Sequence, residues 1–140
     1  RIQPHQLCVE ITEGMLLDRQ SRQVREAIDQ LHDMGVQIAF DDFGTGFASL
    51  THLRELPIDL VKIDRSFVQS LHQSSKDRVI VESIISLAHR LGLNVVAEGV
   101  EFPIQRQLLG GMGCDHIQGY WVSKPLPSKE AAEFIRATSG

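Results

Sequence analysis

Basic residues are scarce in this chain, and their scarcity excludes a class of partner. Lys and Arg number 14 against 18 Asp and Glu, giving a net charge of −4 over 140 residues. Such a surface has no electrostatic footprint for a nucleic acid polymer or an anionic membrane. Long apolar runs are missing as well. None approaches the ~18 residues of a membrane span, so direct membrane insertion is not expected, and no signal-peptide layout is visible. Cysteine occurs only at Cys8 and Cys114, far apart and each in an apolar stretch, which predicts two buried free thiols in a reducing cytosol. The six histidines show no metal-ligand spacing. No Gly-rich dinucleotide fingerprint follows any strand signal. Ser49 and Ser123 lack a His and an acid at a nearby strand end, which leaves nucleophilic catalysis without support. An initiator Met is also absent. The chain opens Arg1-Ile2-Gln3-Pro4 and reaches a strand signal within a few residues, as expected of part of a longer protein.

What is present reads as one domain, since 42% hydrophobic residues can supply a core. Strand and helix signals alternate. Residues 6–12 predict a strand, and 21–34 a helix with Val24, Ile28 and Leu31 on one face, stopped at Gly35. Residues 36–40 predict the second strand, 48–56 a short helix ended by Pro57, and 58–63 the third strand. Residues 76–91 predict a long helix with Ile80, Ile84, Leu87 and Leu91 at helical spacing. Val81, Ile85 and Ala88 widen that stripe, as for a helix buried against more than one neighbour, a second subunit included. A fourth strand is expected at 93–97, a helix from Pro103 to the Gly110-Gly111 pair, and a fifth strand at 115–120. Pro125-Leu126-Pro127 then breaks the chain, and Ser128 caps a last helix through residue 137. Repeated strand-helix units imply an α/β fold with parallel strands and right-handed crossovers. Either an open doubly wound sheet or a barrel satisfies that pattern.

The polar residues fall at matching places. Glu10 and Glu13 lie near the end of the first strand, and Asp41-Asp42 end the second. Lys62 and Asp64 end the third, Glu98 and Glu101 the fourth, and Gln118 the fifth. Active sites of β/α barrels are built from the carboxyl ends of several strands. Two adjacent carboxylates after the apolar run 36–40 are costly as unpaired charge, and a divalent cation offsets that cost. The set reads as a multi-carboxylate metal site with one Lys beside it, suited to metal-assisted hydrolysis of a phosphodiester. Structural alternatives stay open for most members. Glu10 could point outward on an edge strand. Lys62 fits a snorkelling surface residue or the partner of a buried acid. Glu98 could cap the turn at Gly99. Asp64 reads better as a helix N-cap than as a ligand, and Glu13 as an anchor for the 42–47 loop.

Five stretches together carry a family resemblance: Glu10-Ile11-Thr12-Glu13, DDFGTGFASL from Asp41, LPIDLVKID from Leu56, AEGVE from Ala97, and QGYWVSKPLP from Gln118. In order and spacing they resemble the EAL family. The resemblance implies a TIM-like barrel that hydrolyses cyclic di-GMP to linear pGpG with Mg²⁺ or Mn²⁺, two metals in the complete domain. It implies metal ligation by Glu10, Asp41 and Asp42, with Asp42 on the second metal. Lys62 would position the attacking water, and Glu98 would be the general base or water-orienting acid. Glu101 and Gln118 would support the metal and water network, and Glu13 would hold the 42–47 loop, which couples the site to dimerisation. Phe47-Ala48 stands where the family more often has Tyr-Ser.

The resemblance covers the carboxyl-terminal part of an EAL domain. The Glu-Ala-Leu motif and an Asn ligand of the same metal lie upstream of anything in this sequence. A TIM barrel takes about 250 residues, so 140 supply a partial barrel with open sheet edges. The expectation is therefore a cytoplasmic cyclic di-GMP phosphodiesterase active as the whole domain, with residues 1–140 alone inactive. A homodimer, upstream sensory or GGDEF-type domains, and a membrane anchor elsewhere in the parent chain belong to the same expectation. The alternative from another class is a catalytically inactive cyclic di-GMP receptor or protein-interaction module. The residues alone also leave open an unrelated metal-dependent barrel enzyme.

Overall fold

The computed structural model describes residues 3–17, 21–44 and 49–118. The expected helix at 128–137, the Pro125-Leu126-Pro127 break, Ser123, and loop positions 45–48 lie outside the described residues.

The apolar stretches found in the sequence become five strands: β1 Cys8–Ile11, β2 Gln37–Phe43, β3 Leu60–Ile63, β4 Asn94–Ala97 and β5 His116–Ile117. All neighbouring pairs are parallel, and the order in the sheet is β1-β2-β3-β4-β5. Every new strand adds at the same advancing edge. A doubly wound sheet reverses its order at a switch point, whereas a barrel does not. The fold is thus an incomplete TIM-like β/α barrel, with all five strand carboxyl ends on one rim.

Helices connect the strands: α1 Glu13–Leu17, α2 Ser21–Asp33, α3 Ser49–Glu55, α4 Arg65–Gln69, α5 Ser75–Arg90 and α6 Pro103–Gly111. Helix α1 was not expected from the sequence, because five residues are too few for a helical period to show, whereas α4 starts directly after Asp64, the expected N-cap. The core lies between sheet and helices. Ile38, Phe40, Val61, Ile63, Val95 and Ala97 from the strands meet Ile28, Val81, Ile85, Ala88 and Leu109 from the helices. Central β3 is buried at Val61, Lys62 and Ile63 alike, as a parallel strand covered on both faces should be.

Three expectations need correction. Cys8 is exposed, because β1 lies at an edge of the described sheet; Cys114 is half-buried, and both thiols are free. The apolar face of α5 is narrower than its sequence suggested. Val81, Ile84, Ile85 and Ala88 are buried, while Ile80 and Leu91 are open to solvent. Strand β5 is two residues long and ends before Gln118.

The rim opposite the acidic one carries a repeated clamp. The Asp59 carboxylate accepts the Ile38 N–H at 2.7 Å and faces His32 at 3.8 Å. The Asp115 carboxylate likewise accepts the Val95 N–H at 2.8 Å and pairs with His89 at 2.7 Å. Each acid precedes one strand and holds the start of its neighbour. Burial alone would raise the Asp115 pKa, but the bonds from His89 and Val95 outweigh it and hold the carboxyl below its free value of 3.8. Ionised Asp115 therefore stabilises the fold above pH 3.8, and that contribution fades as pH falls through the lowered folded value. Asp115→Asn should melt below the native chain at neutral pH, with the gap closing in acid. Thermal denaturation over a pH series checks this, and a gap unchanged in strong acid would contradict it.

Candidate metal centre and active site

Consecutive residues of a regular strand point to opposite faces. Asp41 and Asp42 should therefore diverge, yet their carboxylates converge. Strand β2 continues through both acids to Phe43 instead of ending at Phe40 as the sequence suggested. Its register to β3 shifts between Phe40 and Phe43, an irregularity of the kind that re-aims side chains beside active sites. Within it Asp42 has φ 54°, the left-handed region, alone among the described non-glycine residues. Asp tolerates that region better than most residues because its short side chain bonds locally. The Asp42 N–H donates to Asp41 Oδ1 at 2.9 Å.

The result is a carboxylate cluster. Asp41, Asp42 and Glu98, the residue after β4, each offer an oxygen, and all three oxygens lie within 4.8 Å of one another. Their mutual repulsion shows in their protonation. Burial, then the Asp41 charge and the Asp64 side chain, raise the Asp42 pKa. Burial raises Glu98 as well, with Asp41 and Asp42 adding to it, and the opposing pull of Lys62 does not cancel them. Hard oxygen donors crowded this closely suit a divalent cation.

Lys62 stands behind the cluster with its side chain only 7% exposed. That burial excludes a snorkelling surface residue. Its ammonium donates to Glu10 and lies 2.9 Å from Glu98. Ala39 of β2 stands in register between Glu10 of β1 and Leu60 of β3, and the bond from Lys62 to Glu10 links the two strands that flank β2. Burial would lower the Lys62 pKa, but the bonds to Glu10 and Glu98 outweigh it and push it up to about 12. Lys62 is thus a fixed positive charge over the whole working pH range.

A cleft of 350 Å³ opens in front of the cluster. Asp41, Asp42, Asp64, Glu98 and Glu101 give it an acidic wall, Gln118 its far edge, and Arg65, Gln69 and Gly99 the rest. Arg65, Gln69 and Gly99 escaped the sequence reading. The signal for Arg65 was Asp64, which caps α4 by accepting the Ser66 N–H at 3.0 Å and so sets Arg65 at the first helical position on the rim. Gly99 has φ 79°, and a Cβ there would lie 2.6 Å from the Arg65 Cβ, which is no flexible tip that could swing aside. Gly99→Ala should lose about 1–3 kcal/mol by combining that contact with left-handed strain. Urea unfolding measures it, and native-like stability would show that α4 yields freely.

Of the expected site residues, Asp41, Asp42 and Glu98 form the cluster. Lys62 ties Glu10 to it, and Glu101 and Gln118 line the cleft. Glu13 opens α1 and is not among the residues lining the cleft, and the 42–47 loop it was expected to hold runs into positions outside the described residues.

Fold and site together define a β/α-barrel protein with an acidic, cation-suited centre at its strand carboxyl ends. The EAL domain model matches residues 1–125. The signaling protein YkoW of Bacillus subtilis is 41% identical over 135 residues, covering 96% of this chain and 17% of its own length. The MucR phosphodiesterase of Pseudomonas aeruginosa in its c-di-GMP complex superposes with a TM-score of 0.84 at 39% identity, covering 93% of this chain and 52% of that one. BlrP1 of Klebsiella pneumoniae, in a manganese and c-di-GMP complex, gives 0.80 at 33% identity, with 89% and 31% covered. The chain belongs to the EAL-domain family. It spans well under two thirds of the length of each of these relatives.

Proposed function

We propose that the protein containing this chain is a metal-dependent phosphodiesterase that opens cyclic di-GMP to linear pGpG. In this reading the chain supplies the carboxyl-terminal part of the catalytic barrel. The observation that carries it is the convergence of Asp41, Asp42 and Glu98 through a locally deformed strand, backed by a buried Lys62. A merely structural turn has no use for three repelling carboxylates. The likeness to MucR and BlrP1, both described with c-di-GMP, supports the substrate.

Glu10, Asp41 and Asp42 would hold Mg²⁺ or Mn²⁺, with Asp42 serving a second ion and Glu98 beside them. Bound divalent cations supply Lewis-acid polarisation of the phosphodiester and a more acidic water. The protein's own groups do the rest. Lys62 orients the attacking water and stabilises negative charge on the phosphoryl oxygens. Glu98 takes a proton from that water. The water oxygen bonds to phosphorus, the ring P–O bond breaks, and the departing sugar oxygen takes up a proton. Arg65, the one cation lining the cleft among the described residues, offsets the charge of the second phosphate. Glu101 and Gln118 support the water network, and Glu13 steadies the 42–47 loop.

No described helix is long and apolar enough to cross a membrane, in keeping with a cytoplasmic site of action for this domain. A homodimer and upstream sensory or GGDEF-type domains complete the proposal. Chelation tests it. The full-length protein should lose formation of linear product in EDTA and regain it with Mg²⁺ or Mn²⁺, and turnover indifferent to chelator would overturn the metal assignment.

A further inference from the structure

We propose that Gln105 is a positioning residue that ties the loop after β4 to the end of α4 beside the cleft, an inference that rests on the phosphodiesterase reading. Gln105 is a polar side chain with 1% exposure, in α6 and away from the carboxylate cluster. All of its hydrogen-bonding capacity that the structure describes is spent on backbone. Its amide oxygen accepts the Glu101 N–H at 2.7 Å and the Phe102 N–H at 3.0 Å. Its amide nitrogen donates to the carbonyls of Val68 at 3.2 Å and Gln69 at 3.4 Å.

A glutamine at the third position of a helix often reaches back to the capping residue, and the bond to Phe102 is that ordinary device. The remaining bonds go further. The loop after β4 carries Glu98 and Glu101 into the cleft, and its amides are tied from several sides. The Glu98 N–H donates to Ile63 and the Val100 N–H to Gln118. Gln105 alone takes the next two, Glu101 and Phe102. Its other end holds the last turn of α4, the helix that packs on this loop at Gly99 and brings Arg65 and Gln69 to the cleft. One buried amide thereby fixes the Glu101 end of the loop to the end of α4. The bonds to the loop are the shorter pair, so the loop depends on Gln105 more than α4 does.

Gln105→Met in the full-length protein removes all four bonds and keeps the apolar volume. Turnover number for cyclic di-GMP should fall ~10–100-fold, as for other residues that orient a metal site from behind. KM should move less, and Mn²⁺ titrated by electron paramagnetic resonance without substrate should bind more weakly. A folded Gln105→Met with native turnover and Mn²⁺ affinity would overturn the assignment. Should Gln105→Met lose its melting transition, Gln105→Asn decides instead. It is one methylene too short to reach both the loop and α4, so a loss of turnover supports the assignment and native turnover overturns it. A native protein that cleaves no cyclic di-GMP would sink the parent reading only, since the Mn²⁺ titration still reports on Gln105.

Discussion

Lys62→Met is expected to slow cyclic di-GMP turnover about 10²–10⁴-fold, the range for a positioned group acting on a transferring proton or its water. The same change should destabilise the fold. Lys62 neutralises Glu10 and Glu98, and its loss strands Glu98 beside Asp41 and Asp42. Breaking a fully buried pair costs about 3–5 kcal/mol. Glu10 is 47% exposed and water takes part of its charge, so about 2–3 kcal/mol is expected here. The sign with pH follows from the raised Lys62 value. Its contribution is complete below 10.5 and is lost as pH rises through about 12, so the gap between native and variant should persist at neutral pH and narrow only in strong alkali. Denaturant unfolding over an alkaline series measures the gap. A variant as stable as the native chain would mean that the ion pairs contribute nothing.

Asp42→Asn separates the catalytic role of a carboxylate from its structural one. Asn enters the left-handed region as readily as Asp, so φ 54° and the deformed strand should survive the change. Only the charge goes. Turnover should drop about 10³-fold, the equivalent of about 4 kcal/mol of transition-state stabilisation. Stability should move the other way. Burial, then Asp41 and Asp64, raise the Asp42 pKa, so its ionised form is disfavoured by the fold, and the metal-free variant should melt above the metal-free native protein. Adding Mn²⁺ should reverse that order, because the native centre gains more from the cation than the variant does. A variant that keeps full turnover would remove Asp42 from the site.

Much of this was legible in the sequence, because strands and helices announce themselves by period. The carboxyl-terminal acids of four strands could be picked out from position alone. The choice between barrel and doubly wound sheet could not, since strand order is a tertiary fact that no local pattern encodes. Asp41 and Asp42 were visible as an adjacent pair, but the pair was placed after the strand because carboxylates seldom sit within one. Their convergence depends on the register shift and on one unusual φ, neither of which the letters reveal. Lys62 had two readings that only burial could separate. Gln105 was invisible for the opposite reason. A glutamine in an amphipathic helix reads as solvent-facing, and its partners Val68 and Gln69 lie 37 and 36 residues away. Cys8 misled because an apolar stretch suggests burial until its strand turns out to lie at the sheet's edge.

The decisive assay follows linear product from cyclic di-GMP, with Mg²⁺ present, for the full-length protein and its Asp41→Asn variant. Cleavage by the native protein that vanishes in the variant is expected if the deformed end of β2 is a metal-binding part of the active site. Tight binding of cyclic di-GMP with no cleavage by the native protein would contradict the enzyme and mark a receptor instead. Equal cleavage by both would remove Asp41 from the chemistry.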